Sequence, residues 1–311
     1  MKDLHLLPKV RDSWSYLYVE HCRVDQEAKA IALHDERGTT AVPCASLTLL
    51  MLGPGTSVTH AAIRVLAESG CLVAWTGEEG VRTYAQGMGE TRSARNLLWQ
   101  AYLCMNRQRR LEVVRRMYAK RFAEELAPHL TLEQIRGREG VRVREAYARA
   151  SRESGVEWQG RSYHRNEWKS TDAVNRALST ANSCLYGVCH AAIISAGYSP
   201  ALGFIHTGNM LSFVHDISDL YKVETTIPLA FGAAAEGTGG LETRVRQGCR
   251  DAFRRERILH RIVEDIEDVL GVREAMPDAG DDPDRDDAGP GSLWDPDAGL
   301  LHSGVNWGDT G

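Results

Sequence analysis

The sequence contains no uninterrupted apolar run as long as the roughly 18 residues needed to span a bilayer, and its N-terminus lacks the apolar core of a signal peptide. Its seven cysteines are odd in number and include no Cys-x-x-Cys pair, which argues against a disulfide framework and against a structural zinc site. From these absences we expect a cytoplasmic protein with no membrane association.

Signatures of several large enzyme classes are also missing. No Walker motif, dinucleotide-binding glycine fingerprint, Gly-x-Ser-x-Gly elbow or His-Glu-x-x-His motif occurs. The 311 residues have 43% hydrophobic and 25% charged content, which is typical of soluble globular proteins, and they suffice for two domains of ordinary size.

The charge is distributed unevenly along the chain. Residues 276–311 contain nine Asp and one Arg, so this segment carries −8, and the total of −5 leaves +3 on residues 1–275. Basic residues, most of them Arg, cluster at 107–121, 136–152 and 244–261. Any one cluster could be a solvated helix face, but three Arg-rich clusters favour a nucleic-acid partner, because guanidinium matches phosphate geometry.

The residue pattern divides the chain into three parts. Strand-like segments dominate residues 1–90, with a hairpin turn at 35–38 and one short helix that Thr59 can cap. Helical periodicity dominates residues 91–275. Residues 276–311, rich in Asp, Gly and Pro, are predicted to be a disordered acidic tail. We therefore predict an α+β multidomain protein with an N-terminal β-sandwich domain followed by a larger all-α domain.

The clearest predicted helix covers residues 172–196, where apolar residues recur at spacings of three and four and Asp172 can cap the first turn. The helix predicted at 130–152 is expected to contain a turn near Gly137. Pro228 is expected to break the chain, and the Gly- and Ala-rich residues 232–240 to form a mobile loop.

A few polar residues are candidates for chemistry. Glu139 lies among arginines, where a carboxylate is usually an ion-paired surface residue but can also hold a metal ion in a basic groove. His206 lies between two glycines, where an imidazole is more often structural. Asp216 and Asp219 share one face of a partly buried predicted helix, so they need partners, either a metal ion or a cation such as Lys222.

A set of Glu, His and Asp suits Mg²⁺ or Mn²⁺ better than a closed zinc site, because carboxylate oxygens are hard ligands. Three protein ligands would leave open positions for water and phosphate oxygens. From the residues alone, the chain is interpreted as a DNA or RNA binder, and metal-nuclease activity stays open.

Several long strings of residues carry a family resemblance. In the helical part they are Arg136-Gly137-x-Glu139-Gly140-x-Arg142-x-Arg144-Glu145-x-Tyr147, Ser183-Cys184-Leu185-Tyr186-Gly187-Val188, Ala196-Gly197-Tyr198-x-Pro200-Ala201-x-Gly203-Phe204-Ile205-His206-Thr207-Gly208 and Leu211-Ser212-Phe213-Val214-x-Asp216-Ile217-x-Asp219. In the N-terminal part they are Gly53-Pro54-Gly55-Thr56 and Gly80-Val81-Arg82-x-Tyr84-Ala85. Over about residues 8–272, the chain thus resembles the CRISPR-associated spacer-acquisition integrases, in particular their subtype I-E branch.

The resemblance implies a β-sandwich followed by a helical catalytic domain, and a divalent metal ion, Mg²⁺ or Mn²⁺, held by Glu139, His206 and Asp219. Asp216, Lys222 and Tyr186 match family positions near that site and are assigned supporting catalytic roles, with core packing as the alternative for Tyr186. The arginines expected to contact DNA are Arg64, Arg82, Arg136, Arg138, Arg142, Arg244, Arg246 and Arg250.

The resemblance also implies the reaction and the partners. A homodimer, two copies of which flank a small ferredoxin-like partner dimer in a heterohexamer, captures short double-stranded DNA fragments. It inserts them into CRISPR repeat and leader DNA by attack of the fragment's 3′-hydroxyl on a phosphodiester, and it also has DNA endonuclease activity. Two alternatives stay open: a non-catalytic DNA-capture subunit, which the intact Glu, His and Asp set argues against, and a structure-specific DNA repair endonuclease.

Two positions depart from the family pattern, and the tail has no family counterpart. Some relatives bracket the end of the captured duplex with a Tyr where this chain has His21, and a family Arg is replaced by Ser57. Three roles stay open for the tail: it is inert, it competes with DNA for the basic groove, or it docks on the partner protein. Trp294 and Trp307 favour docking over competition.

Overall fold

The computed structural model describes residues 16–28, 30–44, 47, 49–78, 83–87, 94–161, 172–272, 293–295 and 299–301. Strands fill the N-terminal part of this range and helices fill most of the rest, which confirms the predicted α+β order. The strands of the N-terminal part are β1 (Tyr16–Val19), β2 (Arg23–Glu27), β3 (Ala30–Asp35), β4 (Gly38–Pro43), β5 (Leu49–Leu52), β6 (Ser57–Val58), β7 (Leu72–Thr76) and β8 (Thr83–Gly87).

These strands form two four-stranded sheets that share a core. One sheet has the order β1-β5-β7-β8, in which β1, β5 and β7 are parallel and β8 is antiparallel to β7. The other has the order β4-β3-β2-β6, an antiparallel meander with β6 added parallel to β2. Helix α1 (His60–Glu68) packs with them: Leu66 joins Val24 and Ile31 of the second sheet and Leu50 of the first in one buried cluster.

Local chemistry explains the turns of this part. The Thr59 side chain accepts a hydrogen bond from the Ala62 amide (3.2 Å) and caps α1, as predicted. In the predicted hairpin turn, the Asp35 carboxylate accepts from the Arg37 (2.8 Å) and Gly38 (3.1 Å) amides, and Gly38 takes a φ of +135°, which favours glycine.

Eight further helices follow within the described residues. They are α2 (Arg95–Met105), α3 (Arg107–Phe122), α4 (Leu132–Ser154), α5 (Ala173–Ser195), α6 (Ser212–Ser218), α7 (Thr226–Ala235), α8 (Leu241–Arg255) and α9 (Ile258–Leu270). Helix α5 contacts α6, α7, α8 and α9, and its C-terminal part also contacts β7 and β8.

The α5 prediction is confirmed in its position and in its ends. Asp172 accepts a hydrogen bond from the Asn175 amide (2.8 Å), and Gly197 has a φ of +78° just beyond the last turn. The helix is long and apolar enough to cross a membrane, but 61% of its most apolar stretch is buried inside the fold. That burial is typical of a core helix.

Three expectations for other helices are wrong. Helix α4 runs through Gly137 without a turn, because a Thr131–Gln134 capping box starts it and Gly137 is exposed, where no packing opposes it. Pro228 does not break the chain: it lies in the first turn of α7, where an amide hydrogen has no helical partner to lose. Residues 232–235 are helical rather than part of a loop.

The predicted acidic tail contains a short hairpin. Strands β9 (Leu293–Asp295) and β10 (Gly299–Leu301) pair antiparallel, so these residues have regular structure where disorder was expected. The remaining residues of 276–311 lie outside the described range.

Candidate active site

Three helices and one loop bring the candidate residues together. Glu139 lies on α4, His206 on the loop after α5, and Asp219 at the C-terminal end of α6. Arg121, near the end of α3, connects the two carboxylates: its Nη1 lies 3.5 Å from Glu139 Oε1 and its Nη2 lies 3.3 Å from Asp219 Oδ2. The charges of Arg121 and Asp219 also act on the His206 imidazole, so all four groups are neighbours.

Glu139 is held by two arginines. Arg142, one turn along α4, forms a two-point ion pair with it, with Nε to Oε2 at 2.8 Å and Nη2 to Oε1 at 3.0 Å. Arg121 approaches from α3. The Glu139 side chain is only 14% exposed, so it is not the solvated surface carboxylate that its Arg-rich surroundings most often indicate.

Asp219 and Lys222 form the second charged pair of the site. Lys222 Nζ lies 2.7 Å from Asp219 Oδ1 and 4.8 Å from the centre of the Tyr186 ring. Burial by itself would raise the pKa of Asp219, but the positive charges of Lys222 and Arg121 outweigh it and lower that pKa. Burial would likewise lower the pKa of Lys222, and Asp219 and Tyr186 raise it above the usual lysine value. Both groups therefore stay charged at neutral pH.

Asp216 organises the loop that carries His206. Its side chain has no exposed surface, and its carboxylate accepts hydrogen bonds from the backbone amides of Phe204 (2.6 Å), Ile205 (3.0 Å) and His206 (2.9 Å). The His206 ring Nδ1 lies 2.7 Å from the same carboxylate. This hydrogen bond, more than any opposing effect of burial, raises the pKa of His206. With Nδ1 engaged, Nε2 is the ring nitrogen left for a ligand.

Arg110 of α3 also holds this loop, by donating hydrogen bonds to the loop's carbonyl oxygens. Its Nε and Nη2 donate to the Phe204 carbonyl oxygen at 3.0 and 2.8 Å. The Phe204 peptide is thus fastened on its amide side by Asp216 and on its carbonyl side by Arg110. Neither Arg110 nor Arg121 was singled out from the sequence, which assigned the whole 107–121 cluster to nucleic acid; in the structure both point into the fold.

Tyr186 lies beside the site and also borders the core. Its ring meets the His215 ring edge-on at 4.9 Å, and His215 in turn lies 5.7 Å from the His206 ring. Tyr186 also packs against the buried cluster around Leu185 and Phe213, so the catalytic and packing interpretations of this residue are compatible.

The residue types fit a hard divalent ion, but their present spacing does not. Among the described residues, no group of three or more His, Cys, Asp and Glu side chains lies close enough to hold one metal ion. The position of Arg121 explains this spacing. Glu139 and Asp219 both contact the Arg121 guanidinium, which lies between the two carboxylates. The structure therefore places the three predicted ligands in one neighbourhood without forming a metal site.

The arginines expected to contact DNA differ in their exposure and in their protein partners. Arg64 on α1 and Arg136 and Arg138 on α4 are exposed, with Arg64 3.8 Å from Glu68 and Arg138 paired with Glu124. Arg142 forms an ion pair with Glu139. Arg82 lies outside the described residues.

The three arginines of α8 that were predicted to contact DNA also have protein partners. Arg246 Nε lies 3.5 Å from a Glu78 carboxylate oxygen, and Arg250 Nε lies 2.9 Å from Asp251 Oδ1. Arg244 donates to the Ala233 carbonyl oxygen (3.2 Å) and to those of the turn that follows α7. Arg244 is therefore bound into its own fold more closely than the other two.

The two departures from the family pattern lie in the N-terminal part, His21 in the bend between β1 and β2 and Ser57 in β6. His21 is exposed with a φ of +49°, and its ring packs over Gly55, where a Cβ would come within 2.4 Å of Nδ1. Ser57 lies in β6 and donates its amide to the Cys22 carbonyl oxygen (3.0 Å). Gly55, with a φ of +69°, is thus required for the position of His21.

Comparison with known proteins agrees with this architecture. The family described as "CRISPR associated protein Cas1" matches residues 119–238, which contain Glu139, His206 and Asp219. CRISPR-associated endonuclease Cas1 2 of Thermus thermophilus is 53% identical over 310 residues, which is 99% of this chain and 94% of that protein. CRISPR-associated endonuclease Cas1 of Geobacter sulfurreducens is 49% identical over 264 residues, covering 85% of this chain and 86% of that protein.

A solved structure shows the same similarity in three dimensions. The crystal structure of a TtCas1–DNA complex superposes with a TM-score of 0.78 at 55% identity, covering 85% of this chain and 99% of that one. Since the identity exceeds half and extends over nearly the whole chain, similarity of this kind goes with common descent. The chain belongs to the CRISPR-associated Cas1 family.

Proposed function

We propose that this chain is a divalent-metal-dependent DNA endonuclease and integrase of CRISPR spacer acquisition. The observation that carries the proposal is the cluster itself: two carboxylates held by Arg121, an imidazole aligned by a buried Asp216, and a charged Lys222 in one neighbourhood. The relatives are named CRISPR-associated endonucleases, and the TtCas1 structure is a complex with DNA. The subtype I-E placement, which the motifs alone support, is part of this proposal.

Glu139, His206 and Asp219 are the residues that would hold Mg²⁺ or Mn²⁺, which when bound would polarise the phosphodiester under attack. The other residues have roles that follow from their contacts. Asp216 fixes the orientation and protonation of the imidazole through Nδ1. Lys222, kept charged by Asp219 and lying over the Tyr186 ring, can neutralise charge that develops on the phosphate.

The proposed reaction is an exchange of phosphodiester bonds. The 3′-oxygen of a captured duplex fragment bonds to a phosphorus of CRISPR repeat or leader DNA, and the existing bond from that phosphorus to the repeat's own 3′-oxygen breaks. The proton of the attacking hydroxyl is lost, and the released oxygen takes one up, so there is no net hydrolysis. We further propose a homodimer that assembles with a small ferredoxin-like partner into a heterohexamer in the cytoplasm.

Strand transfer with a labelled fragment, repeat DNA and the partner protein tests this function. We expect Glu139→Gln, His206→Ala and Asp219→Asn each to reduce strand transfer about 100-fold or more while the protein stays folded, since each removes one ligand. Glu153→Gln neutralises an exposed carboxylate on the same helix as Glu139 and should keep wild-type activity.

Three outcomes would contradict parts of the proposal. A Glu139, His206 or Asp219 variant with near-normal strand transfer would remove that residue from the ligand set. Wild-type strand transfer that continues in excess EDTA would show that the reaction needs no metal ion. A wild-type protein that folds and binds DNA but has no strand-transfer activity would favour a non-catalytic capture subunit.

A further inference from the structure

Arg121 is the least exposed of the three cations Arg121, Arg142 and Lys222 at the site. Its side chain is 4% exposed, and its guanidinium contacts Glu139 at 3.5 Å, Asp219 at 3.3 Å and the Asp216 carbonyl oxygen at 3.4 Å. It also lies 5.1 Å from the centre of the Tyr118 ring. Its Nε finds no hydrogen-bond acceptor among the residues that the structure describes. The side chain is therefore held mainly by the two carboxylates.

The carboxylates of the site already have partners without a metal ion. Glu139 pairs with Arg121 and Arg142, and Asp219 pairs with Arg121 and Lys222. The Asp216 carboxylate contacts the His206 imidazole instead. A guanidinium does not lose its proton in a protein, so Arg121 cannot neutralise itself to admit another cation. A divalent ion that bound Glu139 and Asp219 beside Arg121 would add two positive charges next to a guanidinium that is only 4% exposed.

We propose that Arg121 is the built-in counter-ion of the Glu139–Asp219 pair, and that a divalent metal ion must compete with it for these carboxylates. The inference rests on the proposed metal-dependent function and goes beyond it, since it assigns a role to a residue outside the ligand set. In the metal-free protein Arg121 keeps two carboxylates from repelling each other. When the metal ion binds, the guanidinium gives up at least one of them.

Manganese binding to the full-length chain without DNA provides the test, measured by isothermal titration calorimetry. Arg121→Met removes a positive charge that lies within 4 Å of both carboxylates. We therefore expect Mn²⁺ to bind about tenfold or more tightly than to wild type, because this charge no longer opposes the ion. Arg115→Met is the matched control: Arg115 lies on the same helix but donates to the Ala127 and Leu130 carbonyl oxygens, both at 2.8 Å. It should leave the Mn²⁺ affinity unchanged.

Thermal unfolding gives a second readout that does not depend on catalysis. In EDTA, Arg121→Met should melt below wild type, and saturating Mn²⁺ should raise its melting temperature more than it raises that of wild type or Arg115→Met. If Arg121→Met does not fold in EDTA, Arg121→Gln, which keeps hydrogen bonds to the carboxylates without the charge, is measured in its place.

The outcomes separate this inference from the proposed function. Metal-dependent strand transfer by wild type together with unchanged or weaker Mn²⁺ binding by folded Arg121→Met would overturn the counter-ion role alone. So would an Arg121→Gln variant whose Mn²⁺-induced stabilisation equals that of wild type. Failure of wild type and both variants to bind Mn²⁺, with strand transfer unaffected by EDTA, would overturn the proposed metal dependence and the competition together.

Discussion

His190 is a titratable residue of α5 that the proposed chemistry does not use. Burial lowers its pKa below the usual histidine value of about 6.5. The unfolded chain therefore takes up a proton below about pH 6.5 that the folded protein binds only at lower pH. Stability is full above the unfolded pKa and falls as the pH drops towards the folded pKa.

We accordingly expect His190→Gln to reduce the acid sensitivity of the fold. The melting temperature of this variant should fall less between pH 7 and pH 5 than that of wild type. His129, exposed on the loop between α3 and α4, provides the matched His129→Gln substitution, which should keep the wild-type pH dependence. Parallel pH profiles for wild type and His190→Gln would show that this imidazole does not govern the acid response.

At the scale of elements, α7 depends on a residue of α8. Arg244 donates to the Ala233 carbonyl oxygen and to carbonyls of the following turn, and its Nε lies 3.3 Å from Glu236. Ala233 lies in the last turn of α7, and the other acceptors, Gly237 and Gly239, follow that turn. Carbonyl groups at a helix end lack helical donors, so removing Arg244 leaves several acceptors without this partner. We expect Arg244→Met to lower the free energy of unfolding by about 1–3 kcal/mol.

The measurement is urea unfolding, with Arg255→Met as the control on the same helix. Arg255 is exposed and pairs with the adjacent Glu256, so its loss should cost no more than about 0.5 kcal/mol. Equal stabilities for the two variants would contradict the capping role. If Arg244 caps α7 in this way, an Arg244 variant can bind DNA more weakly because its fold is less stable as well as because it has lost a positive charge.

Elements whose residues repeat at helical spacing were predictable, and roles set by distant contacts were not. The apolar stripe of α5 and its Asp172 cap were enough to place that helix. Strand β2 has little sequence signal of its own, because only Val24 of its five residues is buried. On α3, the buried positions Val114, Met117 and Tyr118 continue at Arg121, and this stripe was the available signal that an arginine points inward.

The ligand set itself came from family motifs, since spacing alone left it open. Glu139 is separated from His206 and Asp219 by more than 60 residues in sequence. Neither composition nor periodicity could indicate that Arg121 stands between the carboxylates, because this depends on how α3, α4 and α6 pack.

At the scale of the whole molecule, the charge asymmetry gives a prediction about the tail. Removing residues 276–311 changes the net charge from −5 to +3. Because the tail contains Trp294 within the β9–β10 hairpin, we expect truncation to weaken assembly with the partner protein and to leave DNA affinity unchanged. Titrating full-length and truncated chains against DNA and against the partner distinguishes the alternatives. Tighter DNA binding at low salt that disappears at high salt would instead identify the tail as a competitor.

The contact between α5 and the first sheet bears on how the chain folds. Ala191 and Ile194 of α5 are buried in one cluster with the apolar residues Leu49, Met51, Leu72 and Ala74 of β5 and β7. The change from strands to helices near residue 90 is therefore a boundary of secondary structure that a common core crosses. A fragment ending there would expose this apolar face of the sheet to solvent and would be prone to aggregation. Because the strands and the helices share this core, we expect them to unfold as one cooperative unit.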